Sequence, residues 1–145
     1  MNVSLREITE KNWYEATKLK VAKSQKGTVA ENVYSIAESK FYPTYEIRGI
    51  YADGKMVGFA FYGFDTDENE NWIARVMVDE NYQRKGYGEE GVKLILERFK
   101  ERNEGNYVKL SFVEGNKTAE KLYEKIGFAK TGEVIDGEEV MKYEF

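Results

Sequence analysis

The chain of 145 residues contains no cysteine and no histidine. Thiol and imidazole chemistry is thereby excluded: no cysteine nucleophile, no histidine general base, no serine–histidine–aspartate triad and no zinc site of the usual ligands. Protons must move through tyrosine, aspartate, glutamate, lysine, water or an amine of the substrate itself, and no metal site is expected. An excess of positive charge is also missing. With 22 Lys+Arg against 26 Asp+Glu the net charge is −4, which argues against a nucleic-acid partner because no basic face is implied. No apolar run approaches the roughly 18 residues of a membrane helix, and the start of the chain lacks the basic-then-apolar order of a secretion signal. The expectation is a cytoplasmic protein without membrane contact. Proline occurs once, at Pro43.

What is present bounds the rest. Hydrophobic residues at 41% and charged residues at 33% describe an ordinary soluble protein, and 145 residues make one domain, 1–145, rather than two. The chain is organised around residues 72–99, WIARVMVDENYQRKGYGEEGVKLILERF. Trp72 to Val78 is rich in β-branched and aromatic residues and suits a half-buried strand. Val92, Ile95, Leu96 and Phe99 then fall on one face of a helix. Between them lies Gln83-Arg84-Lys85-Gly86-Tyr87-Gly88. Glycines there let successive N–H groups turn toward one point, at which the free amides and dipole of the following helix also aim, so the junction suits a phosphate.

The remaining elements follow in order. Val3 to Ile8 reads as a strand. Thr9 is placed to cap a helix that turns Trp13, Ala16, Leu19 and Ala22 inward. After a break at Ser24 to Gly27, a second helix carries Val29, Val33, Ile36, Ala37 and Phe41 and stops before Pro43. Glu46 to Ala52 and Lys55 to Phe64 flank Asp53-Gly54, a two-residue hairpin turn. Gly58 and Gly63 in the second arm suggest a bulge or a close backbone approach. An acidic loop, Asp65 to Asn71, leads into the organising strand. Beyond the long helix, Tyr107 to Val113 should run parallel to Trp72–Val78, because a helix crosses between them. Asn116 caps a last helix with Ala119, Leu122, Tyr123 and Ile126 on one face, ended by Gly127. Phe128 to Glu133 and Glu138 to Tyr143 close the chain through Asp136-Gly137. The fold class is α+β, a mixed and mostly antiparallel sheet of about seven strands with helices on both faces, in the order βααβββαβαββ.

Gly86-Tyr87-Gly88-Glu89-Glu90-Gly91 satisfies the dinucleotide fingerprint G-x-G-x-x-G. Its context does not, since Asp79 to Lys85 separate it from the strand and antiparallel strands precede it. The alternative is Gln83-x-x-Gly86-x-Gly88 opening a long helix, together with Asn116-x-x-Ala119-x-x-Leu122-Tyr123-x-x-x-Gly127-Phe128. These two motifs at this separation, with the element order, resemble the GCN5-related N-acetyltransferases across essentially the whole chain.

The resemblance implies acetyl-coenzyme A as cofactor, its pyrophosphate held by the backbone of Arg84, Lys85, Gly86, Tyr87, Gly88 and Glu89. Side chains of Arg84 and Lys85 either add charge there or are merely solvated. Gly91, inside the helix at a cost of about 1 kcal/mol relative to Ala, points to close packing or cofactor approach. The family also implies that the two parallel strands splay and that the pantetheine arm lies between them. Backbone groups of Val76 and Val78 would pair with it, and an amide at Met77 or Val78 would hold the thioester oxygen. Asn116 and Ala119 would contact coenzyme A. Tyr123, otherwise an aromatic on a buried stripe, becomes the general acid for the departing thiolate. The base is unassigned, because Ala74 stands where polyamine acetyltransferases of the family tend to carry a carboxylate.

Small bacterial spermine/spermidine acetyltransferases are the nearest resemblance. Asp65, Asp67, Glu68 and Glu70, with the rings of Tyr34, Tyr42, Tyr45, Tyr62 and Trp72, are candidates to hold a polycation or are ordinary surface and core. The implied reaction is direct acetyl transfer to a primary amine, a polyamine first. A protein N-terminus, an aminoglycoside, or a non-catalytic acyl-coenzyme A sensor are the alternatives, and a homodimer is a family expectation.

Overall fold

In a computed structural model describing residues 2–25 and 30–145, the described elements follow the expected order. Strands are β1 (Val3–Glu7), β2 (Tyr45–Ala52), β3 (Lys55–Asp65), β4 (Glu70–Val78), β5 (Tyr107–Val113), β6 (Ala129–Ile135) and β7 (Glu138–Glu144); helices are α1 (Trp13–Lys18), α2 (Asn32–Ser39), α3 (Tyr87–Arg102) and α4 (Lys117–Ile126). They form one sheet in the order β1-β2-β3-β4-β5-β7-β6, in which only β4 and β5 run parallel. The hairpin turns form as the Asp-Gly pairs require, with positive φ at Asp53 and Gly54 (50° and 84°) and at Asp136 and Gly137 (49° and 79°).

Alternation along the central strand β3 divides the interior into two layers. Ala60 and Tyr62 pack with Val92, Ile95, Leu96 and Phe99 of α3 and with Ala119 and Tyr123 of α4. Phe59 and Phe61 face the other way, toward Ala16 of α1 and Ile36 of α2. Each fully buried aliphatic or aromatic side chain in these layers contributes about 1.5–3 kcal/mol. Gly91 is explained by packing. A Cβ there would come within 2.9 Å of Ile50 Cδ1, so the glycine lets α3 lie close on β2. Gly58 likewise clears the carbonyl of Met77, and Gly63 clears the backbone at Thr44 and Tyr45.

β4 and β5 are joined at two rungs, Asn71↔Val108 and Trp72↔Lys109, and then part. Asn71 fastens this closed end, its buried Nδ2 donating to Glu104 O (2.5 Å) and Tyr107 O (3.1 Å). Two residues past the last rung, at Ala74, β4 carries a bulge. Tyr62 pairs with Ile73 and Phe61 with Arg75, which leaves Ala74 unpaired and turns the strand away from β5. The splay implied by the family resemblance is therefore present.

Both short helices differ from expectation. α1 spans Trp13–Lys18 alone; Ala16 is buried, but Trp13 is 47% exposed and Leu19 is extended. Tertiary hydrogen bonds pull the chain out of the helix here, since Lys20 N donates to Asp79 Oδ2 (2.9 Å) and Glu80 N to Lys20 O (2.7 Å). Thr9 precedes the helix, and Asn12 is its N-cap. In α2 Asn32 and Ser35 turn inward beside the expected Ile36, while Val33, Ala37 and Phe41 are exposed and Phe41 lies beyond the helix end. Polar partners decide that face: Asn32 Nδ2 donates to Ala16 O at 2.9 Å, and Ser35 Oγ accepts from Arg75 at 3.2 Å. The break assigned to Ser24–Gly27 falls partly, and Val29 wholly, outside the described residues.

Candidate active site

The β4–α3 junction is held open by hydrogen bonds that leave the amides of residues 84–89 unused. Asp79, buried, accepts from Asn81 N (3.0 Å) and Lys20 N (2.9 Å) and so fixes the turn that follows β4. Gln83 Nε2 donates to Val78 O at 3.0 Å. Arg84 and Gly86 then take positive φ, 64° and 85°, and α3 starts at Tyr87. The first intrahelical bond of this end is Glu90 N to Gly86 O (3.1 Å). Among the described residues no protein acceptor pairs with the N–H groups of Arg84, Lys85, Gly86, Tyr87, Gly88 or Glu89. Free donors and the positive end of a 16-residue helix converge where a diphosphate would sit, and this chemistry fits coenzyme A.

Charge at the cup is arranged to tolerate an anion. Glu89 would repel a phosphate, yet its two oxygens are engaged by Lys93 and Lys125, each at 3.0 Å. Hydrogen bonds from Lys93 and then Lys125 hold this carboxyl below its usual range. Arg84 and Lys85 are exposed and make no ion pair among the described residues.

A cleft of about 920 Å³ runs from the cup into the gap between β4 and β5. Val76, Met77, Val78, Arg84, Gly86, Tyr87, Gly88, Glu89, Asn116, Ala119 and Tyr123 all line it; Lys85 does not. A Cβ on Gly88 would touch only Val78 Cγ2, at 3.5 Å, so the space above this glycine is open. Strand alternation sorts the backbone of β4. Asp79 N donates to Val57 O across the β3 side, so Met77 faces β3 as well, and Val76 and Val78 face the gap. Of the two amides expected to hold the thioester oxygen, Val78 is the one turned toward the cleft. Asn116 caps α4 through Oδ1, accepting from Ala119 N at 3.2 Å.

Tyr123 projects from α4 between Phe112 (ring centroids 6.1 Å apart) and Phe128 (5.8 Å). Its ring is packed and half-buried, and no partner for its hydroxyl occurs among the described residues. Burial pushes the phenol up to about 12, so it keeps its proton at neutral pH.

On the opposite face of the sheet Arg75 lines the cleft, paired with Glu38 and lying 5.1 Å from the ring of Tyr34. Of the expected cation-holding rings, Tyr34 reaches this neighbourhood. Tyr62 is sealed beneath α3, edge-on to Phe99 at 5.5 Å, and Tyr45 stacks on Phe61 at 5.0 Å. Tyr42 packs against Tyr45, and neither it nor Trp72 lines the cleft. Asp65, Asp67, Glu68 and Glu70 do not line it either. They lie at the closed end of the splay, where Asp65 Oδ1 accepts from Asp67 N and Glu68 N and Glu70 pairs with Lys109 at 2.9 Å. Missed by sequence reasoning were Tyr82, Ser111, Phe112 and Glu138 among the lining residues. Only their strand and turn positions were visible beforehand; nothing in their spacing marks a site.

Comparison with known proteins gives one consistent set of relatives. A family model described as the acetyltransferase (GNAT) family matches residues 4–128. A spermine/spermidine N(1)-acetyltransferase of Bacillus subtilis (strain 168) is 30% identical over 148 residues, covering 97% of each chain. Among solved structures, a PaiA N-acetyltransferase from Thermoplasma acidophilum in complex with coenzyme A superposes with a TM-score of 0.76 at 15% identity over 100% of both chains. An aminoglycoside acetyltransferase, AAC(6′)-Ib, in complex with coenzyme A gives 0.81 at 18% identity over 99% of this chain and 95% of the other.

Proposed function

The chain belongs to the acetyltransferase (GNAT) family and is an N-acetyltransferase that uses acetyl-coenzyme A, and from that premise we propose that its acceptor is a primary amine of a polyamine such as spermidine or spermine. The observation that supports transfer at this cleft is the run of unpaired amides from Arg84 to Glu89 at the mouth of the β4–β5 splay. The polyamine is favoured by the Bacillus subtilis relative, which aligns over 97% of each chain.

Acetyl-coenzyme A, when bound, supplies an acetyl thioester, an acyl group already activated for transfer. The amides of residues 84–89 hold its diphosphate, with the exposed Arg84 adding charge. The gap-facing backbone of Val76 and Val78 would hold the pantetheine arm, and the Val78 N–H would offer a donor to the thioester oxygen. Asn116 and Ala119 support the arm from α4. Tyr123 donates a hydrogen bond to the departing sulfur. A phenol at about 12 holds its proton more tightly than a thiol, near 8.5, so a free phenolate does not accumulate. The absence of cysteine from the chain fits direct transfer, without an acyl-enzyme. A cytoplasmic location and a homodimer belong to the same reading.

The test is a panel of spermidine, spermine, an aminoglycoside and an N-terminal peptide, assayed for free thiol with acetyl-coenzyme A. The expected result is kcat/KM at least tenfold higher for a polyamine than for the others. Turnover confined to peptides or aminoglycosides would replace the acceptor, and no thiol release with any amine would leave a cofactor sensor.

A further inference from the structure

The substrate ammonium must lose a proton before its nitrogen can attack, and Ala74 offers no carboxylate on the organising strand. Among the described residues, two carboxylates line the cleft, Glu89 and Glu138. Glu89 stands at the cup and is held by Lys93 and Lys125. Glu138 opens β7, is half-buried, and accepts a hydrogen bond from Ser111 Oγ at 2.8 Å through Oε1. None of the charged groups around it, Lys109, Glu114, Glu133, Asp136, Lys142 and Glu89, forms an ion pair with it among the described residues. Among the described residues no donor reaches its second oxygen.

Its depth along the gap follows from strand register. From the last closed rung, Trp72↔Lys109, five residues of β4 lead to Met77, one of them taken up by the bulge at Ala74. Four residues of β5 lead to Val113, whose partner on β7 is Glu138. Glu138, on the far side of β5, thus lies level with Met77, at the height of the gap-facing backbones of Val76 and Val78. Its face also suits the task. Leu110 and Phe112 of β5 turn toward α3 and α4, where Tyr123 lies, so Ser111 and its bound carboxylate are on the opposite side of the sheet. Donor of a proton and acceptor of a proton then flank the gap from its two faces.

We propose that Glu138, oriented by Ser111, is the general base that takes the proton of the acceptor ammonium. The proposal rests on the N-acetyltransferase reading and supplies the residue which that reading lacks. The first ammonium proton passes to Glu138 and is released to solvent. The nitrogen lone pair forms the C–N bond, the C–S bond breaks, and the sulfur takes the proton offered by Tyr123. The nitrogen's second proton passes through Glu138 and solvent to the Tyr123 oxygen, which restores the phenol. One proton is released per turnover.

The experiment measures kcat/KM for the best amine of the panel from pH 6 to pH 10 in wild type, Glu138→Gln, Glu138→Asp and Ser111→Ala, with coenzyme A binding measured separately. Glu138→Gln should fall about 100-fold or more at pH 7, bind coenzyme A within twofold of wild type, and recover toward wild type as pH rises and solvent supplies neutral amine. Ser111→Ala should lose about 3- to 10-fold with the same recovery. A Glu138→Gln variant within threefold of wild type at pH 7, or a loss that does not shrink with pH, overturns the assignment. If Glu138→Gln fails to bind coenzyme A, Glu138→Asp and Ser111→Ala decide, and unaltered pH profiles in both sink it. Wild-type turnover tests the acetyl-transfer reading independently of all three variants.

Discussion

The two ends of the cleft are made of different materials. At the end proposed for the cofactor the groups on offer are backbone: six amides, two positive-φ residues and a helix terminus. At the end proposed for the acceptor they are side chains, Arg75 with its partners Glu38 and Tyr34 on one flank and Ser111 with Glu138 on the other. A diphosphate needs convergent donors and little else. An amine acceptor needs a charge, a ring or a proton acceptor at a set distance, and these depend on where each side chain is carried. The difference implies that the cofactor end is sensitive to backbone geometry and the acceptor end to single functional groups.

Tyr123 sits where the two ends meet, and its removal should have the largest effect. Tyr123→Phe is expected to lower kcat by about 100-fold or more, the usual worth of a positioned proton donor, while coenzyme A affinity stays within twofold. Because the phenol stays protonated to about pH 12, kcat of the wild type should show no decline from this group between pH 7 and pH 10. A Phe variant with unchanged turnover, or weakened cofactor binding with normal kcat, would move Tyr123 from chemistry to packing. The next effect sharpens the contrast. Gly86 holds φ at 85°, where a β-branched residue is strained by about 1–2 kcal/mol. Gly86→Val should therefore weaken acetyl-coenzyme A binding about tenfold, with kcat at saturation within a few-fold. Arg84→Ala, which removes only an exposed charge, should weaken it about threefold. Equal losses from the two variants would mean that the cup works by side-chain charge.

The same division explains what could be read beforehand. The Gln83-x-x-Gly86-x-Gly88 turn, the two Asp-Gly hairpins and the Asn116 cap are local backbone devices, and each formed where its residues stand. α3 declared itself through Val92, Ile95, Leu96 and Phe99, because one face of it is uniformly apolar and buried. α1 and α2 did not. Their inward positions include Asn32 and Ser35, whose partners Ala16 O and Arg75 come from distant parts of the chain, so apolar periodicity pointed at Val33 and Phe41 instead. The acidic loop was conspicuous in composition but lies at the closed end of the splay. Glu138 was passed over because only the register of β5 against β7 brings it level with the reacting end of β4.

The smallest effect tests whether the acceptor end holds the specificity. Arg75 places a cation beside the bulge of β4, and Glu38 neutralises it, the two side chains being 22% and 26% exposed. A pair this wet contributes no more than about 1 kcal/mol, so neither partner is indispensable to the fold. A polyamine entering this end competes with Arg75 for the Glu38 carboxylate and the face of Tyr34. Arg75→Ala removes the competitor, and KM for spermidine should fall about two- to fivefold, with a smaller change for a monoamine and none in coenzyme A affinity. Glu38→Gln leaves Arg75 uncompensated and should raise KM for spermidine by a similar factor. Both changes should shrink in high salt, since screening acts on charges this close to solvent. If instead Arg75→Ala raises KM for every amine alike, the guanidinium props α2 against the sheet, and recognition of the polycation must lie on the Ser111–Glu138 flank.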